Sequence, residues 1–232
     1  MRPIFYDTET TGIRPKQDRI IELAAFDPER DKTFCSFIHP GCSIPAEASA
    51  ISHITDAMVA DAPPFATLAP SFLEFCAGDV VLIAHNNDAF DQPFLEAEFE
   101  RAQLPFPSHW KFFDTLKWSR KYRSDLPRHS LQVLRELFGL PANQAHRALD
   151  DVQTLHKVYL GLVDDLPIHK ALALLSQPQV LSRMPFGKHQ GKPLADVPKD
   201  YVAWLSQNGA LDKKENASLK EAFLKLNLLP NA

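Results

Sequence analysis

Ile4-Phe5-Tyr6-Asp7-Thr8-Glu9-Thr10-Thr11-Gly12 decides how the rest of the chain is read. Three apolar residues lead into two carboxylates separated by one position, and the period-two geometry of a strand projects both from one face. Two like charges side by side are costly unless a cation joins them. Hard oxygen ligands in such a pair select Mg²⁺ or Mn²⁺ over zinc. The pair alone settles nothing, because two solvated acids at a strand end are commoner than a metal site.

Working outward, Arg19 to Phe26 and Thr33 to Ile38 are β-rich runs bounded by turns, giving second and third strands. Residues 66–77 space Leu68, Phe72 and Phe75 as a helix that Gly78 stops. Val80 to Ala84 is continuously apolar, as in a strand buried on both faces, and empties into His85-Asn86-Asn87-Asp88. Helices follow at residues 90–102, 114–122, 130–138 and 148–163, the last with Leu149, Val152, Leu155, Tyr159 and Leu162 recurring at three and four. Strands followed by mixed strand and helices indicate an α/β domain on a central sheet.

The 232 residues can bury one substantial core and a small second one. Pro167 and Pro178 flank an Ala/Leu-rich stretch, after which the texture changes to Pro185-Phe186-Gly187-Lys188-His189-Gln190-Gly191-Lys192-Pro193, then Tyr201-Val202-Ala203-Trp204-Leu205 and a helix from about Lys214 to Leu226. We expect a main domain over 1–165, a linker or bridging helix over 166–180 with the boundary near residue 178, and a small basic module over 181–232. The net charge of −4 argues against a simple basic nucleic-acid binder, yet it hides a split. Residues 1–165 carry 16 Lys and Arg against 24 Asp and Glu, whereas residues 166–232 carry 9 against 5. The acidic part suits metal binding and the basic part a polyanion. Cys35, Cys42 and Cys76 form no CxxC pair, which argues against a zinc site or a disulfide framework. No signal-peptide pattern or membrane-length apolar run is present, so the expected location is the cytoplasm.

Two further carboxylates stand at element ends. Asp91 follows the polar loop, where it serves equally well as a helix-dipole partner or as a ligand. Asp151 lies one turn into the 148–163 helix, on the edge of the inward stripe, which favours it modestly over Asp150. His146 is five residues earlier. Five helical steps rotate about 500°, so the two would diverge by roughly 140° on a continuous helix. His146 is therefore expected on the incoming loop. A lone histidine is more often a surface or capping residue, and spacing alone does not lift this one above that reading.

Together, Asp7-Thr8-Glu9-Thr10-Thr11-Gly12, His85-Asn86 with Phe90-Asp91, and His146 with Asp151 resemble the three exonuclease motifs of the DnaQ-like DEDDh family. Ile51-Ser52-His53-Ile54-Thr55, Asp114-Thr115-Leu116 and His129-Ser130-Leu131 resemble intermediate landmarks, so the likeness covers about residues 3–163 in order. It implies a ribonuclease H-like fold, a five-stranded mixed sheet with helices, and a 3′→5′ exonuclease acting on DNA with two Mg²⁺ or Mn²⁺ ions. Asp7, Glu9 and Asp151 would hold the ion that carries the attacking water, Asp7 and Asp91 would hold the second, and His146 would be the general base. Thr10, Thr11 and Gly12 would meet the terminal nucleotide, with His53, Ile54, Asn86 and Phe90 around the last bases. For Ile54, core packing is an equal alternative.

The same chemistry on RNA is the nearest rival, because the distinction turns on how the pocket treats a 2′-hydroxyl. A polymerase-accessory or tethering protein with a nuclease core is the third reading. Lys117-Trp118-Ser119-Arg120-Lys121-Tyr122-Arg123 could be a strand-binding track or a solvated helical face. The basic tail resembles the C-terminal module of the bacterial exodeoxyribonuclease X group. Its glycine-bracketed Lys188 and Lys192 could contact phosphate, or the segment could be a tight hairpin covering Tyr201 and Trp204.

Overall fold

Strand β1 (Arg2–Thr10) changes character at Tyr6, being apolar before it and polar after it. In this computed structural model, which describes residues 1–123, 125–141, 148–177, 181, 183–213 and 216–229, β1 is the middle of the sheet. It pairs antiparallel with β2 (Ile20–Asp27), which pairs antiparallel with β3 (Lys32–Phe37). On its other side lie β4 (Val80–Ala84) and then β5 (Lys111–Asp114), both parallel, giving the order β3-β2-β1-β4-β5. The parallel pairing of β1 with β4 ends at Phe5. The polar half of β1 thus runs on past the carboxyl end of β4, a position where α/β sheets place their ligands.

Alternation along β1 assigns each residue to a face. Ile4 and Tyr6 join a core cluster with Phe65, Phe72, Phe94 and Phe99, carried by α3 (Phe65–Phe75) and α4 (Asp91–Arg101). Phe5 joins the opposite cluster with Trp118 of α5 (Thr115–Tyr122), Val152, Leu155 and Tyr159 of α7 (Ala148–Val163), and Ala171 and Leu175 of α8 (Ile168–Ser176). Asp7 and Glu9 continue the Phe5 side and so face α7, whereas Thr8 continues the Tyr6 side and faces α4. The register shifts between Glu9 and Thr10, and such an irregularity re-aims the side chains beside it.

The four-residue β5 was not evident from sequence pattern. Nor were α1 (Ala46–Ser52) and α2 (Asp56–Val59), which with α6 (Leu131–Leu137) complete the helices of this unit among the described residues. Ile54 lies between α1 and α2, fully buried with Ile21, Ile44 and Val59, so core packing is the alternative the structure adopts. The chain divides into two units, Met1–Leu175 and Ser176–Ala232. The second has its own small core of Met184, Leu194, Val197, Val202, Leu205, Leu211, Leu219 and Phe223, drawn largely from α9 (Lys199–Gln207) and α10 (Ala217–Lys225).

Of the cationic run 117–123, Lys117 pairs with Asp88, Lys121 donates to the Leu174 carbonyl and Arg123 pairs with Asp125, while the Trp118 indole donates to Leu162 O at 3.1 Å. These contacts engage much of the run in holding the unit together. The charge with the most structural consequence is Glu98, 1 % exposed, which accepts Arg19 at 2.8 and 3.0 Å, the Ile20 amide at 3.2 Å and Arg101 at 3.1 Å. Removing one partner of a buried pair typically costs about 3–5 kcal/mol. The two arginines keep part of their solvent contact, so Glu98→Ala should lower unfolding free energy by about 2–3 kcal/mol in urea titrations, at or just below the bottom of that range. A loss under about 0.5 kcal/mol, typical of a surface change, would contradict this assignment.

Candidate active site

At the polar end of β1, one carboxylate oxygen from each of Asp7, Glu9 and Asp151 lies within 4.8 Å of the others. Asp7 and Glu9 arrive from the strand, and Asp151 from the first turn of α7. Its neighbour Asp150 is less buried and stands outside this group. Asp91 approaches from the other side as the first residue of α4, 2 % exposed, its Oδ1 accepting the Thr8 amide at 3.1 Å and the Thr8 hydroxyl at 2.8 Å. It is not in the 4.8 Å group, yet its charge acts on Asp7 more strongly than those of Glu9 and Asp151.

The electrostatics follow from this crowding. Burial, then Asp91, Glu9 and Asp151, push the Asp7 carboxyl well above the ordinary carboxylate range. Burial also raises Asp91 to about 7, against the hydrogen bonds from Thr8 that favour its charged form. Four carboxylate side chains gathered here, two of them with raised pKa values, are a donor set suited to a hard divalent cation.

Three polar anchors hold the surrounding backbone. Glu22, opposite Glu9 in the β ladder and 2 % exposed, accepts the amide of Ala148 at 3.1 Å and so caps the helix that carries Asp151. Asp114 accepts the amides of Leu116 and Lys117 at the start of α5 and those of Asn86 and Asp88, both at 3.1 Å. Burial raises its pKa, and the amides partly offset this. Asn86 sits at φ 72°, a left-handed conformation that asparagine tolerates better than most residues. Gln132 reaches Asp151 at 3.4 Å and is itself fixed by Arg135 at 2.8 Å.

A cleft of about 370 Å³ opens over the carboxylates, within the range of ligand pockets. Of the residues expected to meet nucleic acid, Thr10, Gly12, Asn86 and Phe90 line it, and Thr11, His53 and Ile54 do not. The Thr11 hydroxyl accepts the Arg19 amide at 2.9 Å, and His53 closes α1 in a left-handed turn. Gly12 has a reason other than substrate approach, because a Cβ there would lie 2.5 Å from the Asp18 carboxylate. Ile13 and Ile51, 82 % and 56 % exposed, form apolar walls that sequence reading missed; Ile51 belonged to a noted landmark, but periodicity gave no reason to choose it over Ile54.

His85 also lines the cleft. Its Nδ1 lies 2.9 Å from Thr115 Oγ1, which also donates to Ala84 O at 3.2 Å. Its Nε2 is buried without a hydrogen-bond partner, and burial lowers the pKa to about 4. His146 lies outside the described residues, two positions before the capped Ala148.

A family model described as "Exonuclease" matches residues 4–159. A second, described as "Putative quorum-sensing-regulated virulence factor", matches residues 175–225. The chain is 37 % identical over 163 residues to the DNA polymerase III subunit epsilon of Treponema pallidum, covering 68 % of this chain and 74 % of that protein. It is 32 % identical over 166 residues to the DNA polymerase III PolC-type of Staphylococcus haemolyticus, covering 70 % of this chain but 11 % of that protein. Among solved structures, Escherichia coli exonuclease I bound to single-stranded DNA in a zinc form superposes with TM-score 0.61 at 22 % identity, over 77 % of this chain and 46 % of that one. That likeness shows a shared fold.

The raised carboxyls set a pH dependence. A group whose folded pKa exceeds its ordinary value binds protons better when folded, so its contribution to stability is full below about 3.8 and is lost as pH rises through about 7 for Asp91. In EDTA the melting temperature should therefore fall by several degrees from pH 5 to pH 8, Mg²⁺ should recover most of it at pH 8, and Asp7→Asn should flatten the profile. A metal-free melting temperature that stays level or rises over this window would contradict the arrangement.

Proposed function

The chain belongs to the DnaQ-like exonuclease family, and from that membership we propose that it hydrolyses DNA from the 3′ end, releasing nucleoside 5′-monophosphates with the help of two divalent metal ions. The observation that carries this reading is the convergence of Asp7, Glu9 and Asp151, with Asp91 beside Asp7, at the floor of an open cleft. Those four side chains would hold Mg²⁺ or Mn²⁺. When bound, the ions would supply positive charge to the scissile phosphate and lower the pKa of the attacking water.

The chain's own residues do the rest. Phe90, Ile13 and Ile51 offer apolar surface to the terminal base and sugar, and Thr10 and Asn86 offer polar contacts beside them. His146 is the general base: it takes the proton of the attacking water as that oxygen bonds to phosphorus, and the bond from phosphorus to the 3′ oxygen of the preceding nucleotide breaks. An unperturbed imidazole pKa near 6.5 lets His146 accept and release that proton near neutral pH. The Glu22 cap fixes the start of α7 two residues beyond His146. His85 is a poorer base, since burial lowers its pKa to about 4 and Thr115 occupies Nδ1.

A second reading, action beside a polymerase, is favoured by the named epsilon-subunit relative. It leaves the chemistry unchanged. The test is full-length protein with Mg²⁺ given matched 3′- and 5′-labelled single-stranded DNA, duplex DNA and single-stranded RNA. The 3′ label should leave at once as mononucleotide while the 5′ label forms a descending ladder; RNA cleaved faster than DNA would transfer the assignment to a ribonuclease. Asp7→Asn or excess EDTA should abolish cleavage, and His146→Ala should lower the maximal rate by about 10²- to 10⁴-fold with little change in binding. Full activity in EDTA would remove the metal mechanism, and activity within a few-fold of the parent would remove His146 from it.

A further inference from the structure

In the second unit, helix α9 turns Val202 and Leu205 into the small core. Tyr201 and Trp204, three residues apart, stand outside that pair with their rings stacked at 5.7 Å and 19°. Trp204 is 54 % exposed, so the larger of the two rings contributes little to the fold. The glycine-bracketed loop packs on the tyrosine rather than over the tryptophan. His189 meets Tyr201 edge-on at 4.6 Å, and a Cβ at Gly187 would lie 2.5 Å from the Tyr201 hydroxyl. Bonds from the Met184 amide to Lys192 O and from the Gly191 amide to Met184 O, both 2.8 Å, close the loop.

The unit that carries this ladder has a net positive charge that its described ion pairs leave partly unmatched. The described ion pairs of the unit are Lys220 with Asp212 and Lys225 with Glu221, so exposed Lys188, Lys192 and Lys199 have no acidic partner among the described residues. Residues 176–232 carry eight Lys and Arg against five Asp and Glu. An open indole face on a stacked neighbour, in a unit with unpaired cations, suits an unpaired base with its phosphates.

We propose that Trp204, stacked on Tyr201, is a base-stacking platform for single-stranded nucleic acid, with Lys188 and Lys192 of the loop that packs on Tyr201 meeting its phosphates. The choice of ligand rests on the nuclease reading of the first unit, but the binding does not require cleavage. The platform takes the strand by stacking and by phosphate contact, without reading sequence, because every base presents a π face.

Of the three tryptophans, Trp110 and Trp118 are 6 % and 4 % exposed, so intrinsic fluorescence reports chiefly on Trp204 when a ligand binds. Full-length protein in EDTA, titrated with an oligothymidylate of about 20 residues, should be quenched, and Trp204→Leu should abolish the quenching and weaken affinity about 5- to 100-fold. Lys188→Gln with Lys192→Gln should reduce the slope of log affinity against log salt by about 1.4, two single-strand phosphate contacts. Both variants should keep the parent circular dichroism and cleave a trinucleotide at the parent rate. Absent quenching, or unchanged affinity in Trp204→Leu, overturns the platform and leaves the aromatic pair to a protein partner. Quenching by a parent that cleaves nothing keeps the platform and removes the nuclease reading instead.

Discussion

Mutual repulsion among carboxylates is the constraint that the first unit is built to withstand. Asp7, Glu9 and Asp151 share a few ångströms, and Asp91 adds its charge from the far side. In the absence of cations this opposes folding, and it persists because the supporting contacts lie elsewhere: apolar clusters on both sheet faces and the Glu98 network at the start of β2. The same repulsion becomes useful once divalent ions neutralise it.

Position comes from a few polar anchors acting on backbone. The side chain of Glu22 grips the first amide of α7 and so sets where Asp151 enters the site. Asp114 ties the 86–88 loop to the start of α5, and the Tyr6 hydroxyl donates to Asn87 in the same loop. Thr8 holds Asp91 through both its amide and its hydroxyl. Each anchor is buried, where an unmade hydrogen bond costs most, so together they favour one arrangement over its neighbours.

Much of this was legible because it is local. The spacing of Asp7 and Glu9 implied a shared face, and the stripe through Val152, Leu155 and Tyr159 inclined the choice to Asp151, which the structure turns into the cleft. Contacts between distant residues were not legible. Glu22 reads as one charge in an apolar run, and nothing near it in sequence announces a helix start 126 residues later. β5 is four residues with an exposed lysine, too short for periodicity, and Ile51 and Ile54 differ only in which way a one-turn chain reversal points them. In the second unit, the sequence suggested either a phosphate loop or a hairpin over Tyr201 and Trp204; the loop in fact covers the tyrosine and leaves the tryptophan open.

In the proposed mechanism these carboxylates would hold two divalent ions side by side. Electron paramagnetic resonance of the full-length protein titrated with Mn²⁺ in the presence of thymidine 5′-monophosphate tests it directly. The account predicts saturation at two ions per chain with a spin-coupled spectrum, replaced by at most one uncoupled ion in Asp7→Asn. Two ions that never couple, or a parent spectrum unchanged by Asp7→Asn, would contradict it.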